Sequence, residues 1–322
     1  MKLTKIATLG AAALALFAAT AKAEDWPAQP IHVIVPYSAG GGTDTTIRTL
    51  VPKASEALGQ TIVVENKPGG ATIPATDAVF QAAPDGYTIG AAAAPFTLNT
   101  ALGKPTPYDP VNDFQHIIKL VDLPLCVLVN PSHPAQTFDE FVTWAKEQPD
   151  PVLYATAGVG SMPHLWGTAM ANDLGFKFEH VGYKGSAPAL LDVMAGNIQV
   201  MIDGYTPGCQ KGLTGEVRVL ATAWDTRLPE MPDVPTIQEL GYDIPRASAN
   251  FSLFGPKDMP EPVVAKINAA FQAALDDPAT QGKLAANGLI PAGGSPADYH
   301  EFVKQQIGYW TEVASQANIA SN

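Results

Sequence analysis

Three glycine-bearing loops hold most of the chemistry open to this sequence. The first, residues 36–44 (PYSAGGGTD), leaves an apolar strand and enters a segment with helical spacing. Gly40, Gly41 and Gly42 allow positive φ and let a ligand approach the backbone closely. The helix that follows begins with unpaired N–H groups and a partial positive charge. Together these make an anion site that needs no basic side chain. Asp44 reads as the helix N-cap rather than a ligand contact, because its charge would repel a bound carboxylate. A tight turn whose glycines only reverse the chain explains the same spacing equally well. Nucleotide patterns do not fit: Thr45 occupies the last glycine position of G-x-G-x-x-G, and Gly-Lys-Ser/Thr is missing.

Residues 66–72 (NKPGGAT) follow a second strand and precede a short helix, at the sheet end where open α/β sheets bind ligands. Residues 156–161 (TAGVGS) repeat the device in the second half of the chain. Ser161 can cap the next helix or donate to a ligand. A serine-hydrolase elbow needs G-x-S-x-G, which Met162-Pro163 breaks, and no carboxylate is placed to orient His164. Residues 180–186 (HVGYKGS) form a compact polar turn in which Lys184 could neutralise an anion; a solvated lysine is the commoner outcome. The six histidines show no metal-ligand spacing, so no metal and no cofactor is expected.

Alternating strands and helices must position these loops. Residues 31–35, 61–64 and 87–92 read as strands, and Ile47, Leu50, Val51, Ala54 and Leu58 line one helix face that Gly59 ends. In the second half, strands over 125–129, 152–155, 198–202 and 217–223 alternate with a helix opened by the capping pair Thr137 and Glu140. Pro262 and the Ser295-Pro296-Ala297-Asp298 run open two closing helices. The pattern is α/β with largely parallel strands.

Residues 1–23 read as a signal peptide: Lys2 and Lys5, an apolar run, then Ala21-Lys22-Ala23. The run is too short for a membrane span of roughly 20 apolar residues. Export to the periplasm, with cleavage near Ala23, is expected. Without Lys2, Lys5 and Lys22 the 19 basic residues fall to 16 against 31 acidic ones, a formal balance of −15. That argues against nucleic acid and anionic lipid as partners. Cys126 and Cys209 could pair in an oxidising compartment. Cys126 lies in an apolar run, however, where a free thiol packs as a small hydrophobe, and the sequence favours that reading.

The motifs, taken in order, resemble one family. They are Trp26-x-x-Gln29-Pro30-Ile31, the PYSAGGGTD loop, Leu58-Gly59-Gln60, Val63-Val64-Glu65-Asn66-Lys67-Pro68-Gly69 and Pro84-Asp85-Gly86-Tyr87-Thr88. Asp113-Phe114, Gly158-x-Gly160-Ser161-x-x-His164-Leu165, Tyr183-Lys184-Gly185 and the run from Arg227-Leu228-Pro229 to Pro235-Thr236 follow. This resembles the substrate-binding (Bug) receptors of tripartite tricarboxylate transporters across nearly all of the mature chain. The resemblance implies an α/β fold of two domains: a type II-like Venus flytrap with a central, mostly parallel sheet in each. It places domain 1 at 24–126 and 250–322 and domain 2 at 127–249, with hinge segments near 125–129 and 251–255.

It also implies a carboxylate ligand: a di- or tricarboxylate, an acidic amino acid or an aromatic acid. The first-domain contacts it implies are Tyr37, Ser38, Gly41, Gly42, Thr43, Gly70, Ala71 and Thr72, with Ala94, Phe96 and Thr97 lining the pocket. The second-domain contacts are Ala157, Gly158, Gly160, Ser161, His164, Tyr183, Lys184, Ser186, Asp203 and Tyr205. The sequence departs from the family at Gly182 (usually Pro), at Phe251-Ser252-Leu253 (usually Trp-x-Gly) and at residues 69–72. These departures bear on ligand identity rather than fold. The expected protein is a monomeric, non-enzymatic receptor that delivers its ligand to membrane permease subunits. The alternatives are a ligand-sensing subunit for a membrane kinase and a secreted serine hydrolase using Ser161 and His164.

Overall fold

The computed structural model describes residues 26–204 and 208–316; the expected signal peptide and Tyr205 lie outside the described residues. The chain opens with β1 (Ile31–Val35), α1 (Gly42–Leu58), β2 (Ile62–Asn66), a 3-10 turn (Gly70–Thr72), α2 (Ile73–Phe80), β3 (Thr88–Ala92) and α3 (Pro95–Ala101). The long β4 (Phe114–Val129) leads to α4 (Phe138–Glu147), β5 (Val152–Thr156), α5 (Met162–Leu174), β6 (Phe178–Gly182) and α6 (Ser186–Met194). Then come β7 (Val200–Gly204), α7 (Gln210–Leu213) and β8 (Arg218–Thr222). The chain returns along β9 (Ser248–Pro256) to α8 (Glu261–Asp276), α9 (Pro278–Ala285), β10 (Ile290–Gly293) and α10 (Pro296–Gln316).

Local chemistry sets the element ends. α1 buries Ile47, Leu50 and Ala54 and stops where Gly59 turns left-handed (φ 66°), its N–H returning to the last turn. The Thr137 hydroxyl caps α4 by accepting from the Glu140 amide at 3.2 Å. Glu140 returns its carboxylate to Gln136 N–H at 2.6 Å, one residue ahead of the cap itself.

β1 pairs in parallel with β2 and β3, and β5 with β6 and β7. The C-terminal ends of each trio lie at one sheet edge, where ligands bind in open α/β sheets. β9 and β10 join β4 antiparallel in the first sheet, and β7 and β8 flank it antiparallel in the second. The expected mostly parallel sheets are therefore parallel only in their outer strands. The physical reason is that β4 and β9 are long return strands connecting the lobes, so they run against their neighbours. β4 pairs with β9 and β10 as far as Pro124 and with β7 and β8 from Leu125, while β9 begins at Ser248 opposite Pro124. The chain changes sheets there, just ahead of the expected hinge segments.

Each lobe has its own apolar core. Ile47, Leu50 and Phe271 pack with β1 and β3 in the first, and Phe141, Trp166 and Met170 with β5 and β7 in the second. α10 serves both: Tyr299 and Val303 sit in a first-lobe cluster, whereas Trp310 and Val313 join the second-lobe core. Cys126, expected as a free thiol, is disulfide-bonded to Cys209, 83 residues on, with Cα atoms 6.0 Å apart. Burial in the apolar run is as expected, but the register of β4 sets Cys126 beside Asp203 on β7. Gly208 lies against the Asp203 side chain, which brings Cys209 within reach. Sequence separation holds no signal of that register.

Candidate functional site

The loop between β1 and α1 is organised from inside. Gly41, with φ −73°, is the N-cap of α1, and no side chain caps the helix. The expected capping role of Asp44 is therefore corrected: Asp44 is the third residue of the helix, 1 % exposed. Its carboxylate accepts from Gly40 N–H at 2.8 Å, from Arg48 Nε at 2.9 and 3.0 Å, and from Asn66 Nδ2 at 2.9 Å. Burial pushes this carboxyl upward, but the bonds from Arg48, Gly40 and Asn66 prevail and hold it below the usual range. The first intrahelical bond is Thr45 N–H to Gly41 C=O, so the N–H groups of Gly42, Thr43 and Asp44 precede any helical acceptor. Of the three glycines only Gly40 takes positive φ, at 83°. Gly41 and Gly42 matter instead for close approach to the helix end, where Phe251 lies 3.5 Å from a Cβ placed on Gly42.

The loop after β2 is strained. Gly69, Gly70, Ala71 and Thr72 have φ of 118°, 51°, 51° and 71° in succession. Left-handed Ala and especially β-branched Thr are unfavourable, of order 1–3 kcal/mol each, and such strain clusters at ligand clamps. Asn99 Nδ2 on α3 holds the Ala71 carbonyl at 2.9 Å. The Thr72 hydroxyl, at the uncapped start of α2, is buried without a partner. Tyr37 is partly buried, its phenol pushed up to about 12 by burial, and its carbonyl accepts from Asn66 Nδ2 at 2.9 Å. Ser38 is exposed, Ala94 is the uncapped N-cap of α3, and Thr97 bonds back to the Ala94 carbonyl at 3.2 Å. Phe96, expected to line the pocket, does not: it is 2 % exposed and stacks on Phe254 at 4.6 Å in the core. As the second residue of α3 its ring turns under the sheet, a direction that a loop motif does not encode.

The second-lobe loop satisfies itself. The Ser161 hydroxyl caps α5, accepting from His164 N–H at 3.4 Å and donating to the Gly158 carbonyl at 2.7 Å. His164 Nδ1 accepts from Gly160 N–H at 3.0 Å, and its ring stacks on His180 at 3.7 Å. Burial lowers His164 to about 4; burial and the neighbouring His164 lower His180 to about 4. With His164 Nδ1 turned to Gly160 rather than to Ser161, the expected hydrolase alternative lacks its nucleophile–base bond.

Next to it, Gly185 N–H bonds the Ala157 carbonyl at 2.9 Å and Tyr183 N–H the Thr156 carbonyl at 3.1 Å, knitting the 183–186 turn to this loop. The Tyr183 hydroxyl turns away to the Asp192 carboxylate, and Lys184 is exposed. Ser186 donates to Asp203 Oδ1 at 2.8 Å, while Asp203 is 3 % exposed and raised to about 7, by burial, against the opposing bonds from Ser186, Gly204 and Gly208. The two lobes touch where Gly160 meets Leu102, 3.1 Å from a Cβ placed on the glycine.

α1, α2, α3 and α6, which start at the loops named above, begin without a side-chain cap, as do α7 and α8, whereas Thr137, Ser161 and Asp277 cap α4, α5 and α9. Unfilled N–H groups at a helix start are what an anion uses. Motif reading missed Asn66, Asn99, Thr156 and His180 as organisers. Asn66, Thr156 and His180 stood inside quoted segments without that role; Asn99 has no local signal. Among the described residues, no group of three or more His, Cys, Asp or Glu could hold a metal.

A model of the tripartite tricarboxylate transporter family receptor matches residues 46–319. The chain is 31 % identical to protein BugT of Bordetella pertussis over 306 residues, 94 % of each chain. Two solved Rhodopseudomonas palustris structures superpose well. Rpa4515 with adipate is 30 % identical, with a TM-score of 0.77 over 92 % of this chain and 99 % of that one. MatC with bound malate is 30 % identical, with a TM-score of 0.73 over 89 % and 99 %.

Proposed function

The chain belongs to the tripartite tricarboxylate transporter receptor family, and from that premise we propose that it captures a small carboxylate between its lobes. It then hands the ligand to membrane permease subunits. The observation that carries this reading is the uncapped start of α1, whose nearest carboxylate, Asp44, is already neutralised by Arg48. A ligand carboxylate there meets the N–H groups of Gly42, Thr43 and Asp44, with the Thr72 hydroxyl as a further donor. Charge-assisted bonds of about 1.5–3 kcal/mol each, less the ordering cost, bring a handful of contacts into the micromolar range. The second lobe closes the site with Ser186, Asp203 and the 157–161 loop. Phe96 is dropped from the contacts and Tyr183 contributes backbone rather than hydroxyl.

The malate and adipate in the two relatives support a dicarboxylate. Lobe closure requires only that ligand favour the closed arrangement, so no bond chemistry is needed. We assign the protein to the periplasm as a monomer; no helix among the described residues is long and apolar enough to cross a membrane. We place the lobe division at the sheet changes, Pro124/Leu125 and Ala247/Ser248. A calorimetric screen of di- and tricarboxylates, acidic amino acids and aromatic acids tests the reading. Micromolar binding of at least one carboxylate is expected; binding of neutral or cationic solutes alone overturns it.

A further inference from the structure

The two glycine loops share a device at atomic level. In each, a left-handed glycine just before the N-cap gives its N–H to the side chain four residues on, the third residue of the helix. In the first lobe Gly40 (φ 83°) donates to Asp44 at 2.8 Å; in the second Gly160 (φ 71°) donates to His164 at 3.0 Å. The acceptors differ in charge. Asp44 is anionic and is neutralised at once by Arg48. His164 has no such partner: its ring faces His180, and Tyr154 lies beyond them, 6.4 Å from His164 and 5.0 Å from His180. Tyr154 is itself held protonated by burial. Burial acts on both imidazoles, and among the described residues the only charge that acts on His180 is that of its stacked neighbour His164. His180 Nε2 in turn pairs with the Thr156 hydroxyl at 2.7 Å, and that hydroxyl bonds the Gly158 amide and carbonyl at 3.3 and 3.2 Å.

We infer that His164 and His180 are positioning residues: as a stacked pair they set the shape of the second-lobe loop while adding no negative charge of their own toward an incoming carboxylate. The inference rests on the carboxylate reading above. An acceptor is required at His164, because a loop amide facing a buried ring without one loses its bond. An uncompensated carboxylate would serve the amide equally well and add a like charge that repels an anionic ligand. Neutral imidazole meets both demands, and burial keeps both rings neutral to well below pH 6.5.

His164→Asn places an amide oxygen where Nδ1 stood; His164→Asp places a carboxylate there; His164→Phe keeps the ring and removes the acceptor. Two readouts are taken at pH 7.5: the Gly160 amide proton shift in the free protein, and calorimetric Kd for malate and adipate. The Gly160 shift is expected to stay near the wild-type position in the Asn and Asp variants and to move upfield in the Phe variant. Kd is expected to rise within about threefold for Asn and by about 30-fold or more for Asp, the difference being a charge–charge penalty. His180→Phe, which keeps a stacked ring but frees Thr156, is expected to lie between them. In wild type the Gly160 shift is expected to step as His164 takes up its proton, well below pH 6.5; in His164→Asn that step should vanish.

The inference is overturned if the Gly160 shift is the same in His164→Phe as in wild type, whatever the protein binds. It is also overturned if Asp and Asn variants bind alike. Should neither malate nor adipate bind wild type, the carboxylate reading is what suffers, and the Gly160 shift alone still decides the positioning role.

Discussion

The 36–44 and 156–161 loops occupy matching places in the two lobes, yet they are finished differently. The first is tied from within by Asp44, Arg48 and Asn66, and its helix start is left open. The second closes on itself: Ser161 fills the helix start and two neutral histidines hold the turn. An anion gains most where N–H groups are unfilled, so on the reading proposed above the first lobe does the gripping. In the second lobe the 157–161 loop itself carries no charged side chain. On the same reading, one device produces a donor site in one lobe and a closing surface in the other.

The largest expected effect separates the two ties. Asp44→Ala removes a buried carboxylate that three groups bond, and a loss of about 3 kcal/mol in urea unfolding is expected. His164→Phe, which keeps the buried ring, removes one neutral bond and should cost about 1 kcal/mol. Equal losses would break the comparison. Next in size, Gly41→Val covers the open helix start while adding a Cβ only 3.2 Å from the Ser38 carbonyl. A roughly 100-fold rise in Kd with an unchanged far-ultraviolet spectrum is expected, since one or two charge-assisted bonds are lost. Undiminished thermal stabilisation by ligand in this variant would contradict the account.

Stability against pH sets buried histidines in both lobes against one buried acid. His116, His164 and His180 each titrate near 4 in the fold against 6.5 when exposed, so the unfolded chain binds more protons between those values. Their contribution to stability falls as pH drops from 6.5 to 4, by up to about 1.4 kcal/mol per unit for each group. Asp203, raised to about 7, acts oppositely: the fold binds the extra proton, and stability declines as pH rises from 3.8 to 7. Asp203→Asn should therefore steepen the acid limb, as urea unfolding at pH 4.5 and 6.5 would reveal. The smallest effect is Ser161→Ala. Loss of this cap should cost about 1 kcal/mol and raise Kd only a few-fold, because that helix start faces its own serine rather than the ligand.

Much of this arrangement could be read before the coordinates, and the gaps follow a rule. Strand–glycine–helix spacing located both loops, since periodicity and turn chemistry are local. Ordered motifs supplied the family and with it the two-lobed fold. What stayed hidden depends on register and direction. Asp44 looked like a cap because capping residues and third-turn-position acids share composition; only the path of the chain through Gly40 shows it reaching back. Phe96 looked like a pocket residue, although its ring goes under the sheet. The Cys126–Cys209 bond needed the pairing of β4 with β7. The His164–His180 stack joins residues on a helix and a separate strand, with no spacing rule between them.

The central claim is that the ligand carboxylate sits on the α1 helix start. Amide chemical-shift mapping with malate and adipate, on the full mature protein, tests it most directly. The account predicts the largest downfield shifts at Gly42, Thr43 and Asp44, followed by the 70–72 turn, and smaller changes at 157–161. It is contradicted if the largest shifts fall elsewhere, for instance at the roughly 1230 Å³ concavity lined by His116, Lys257 and His300, while the α1 amides stay still.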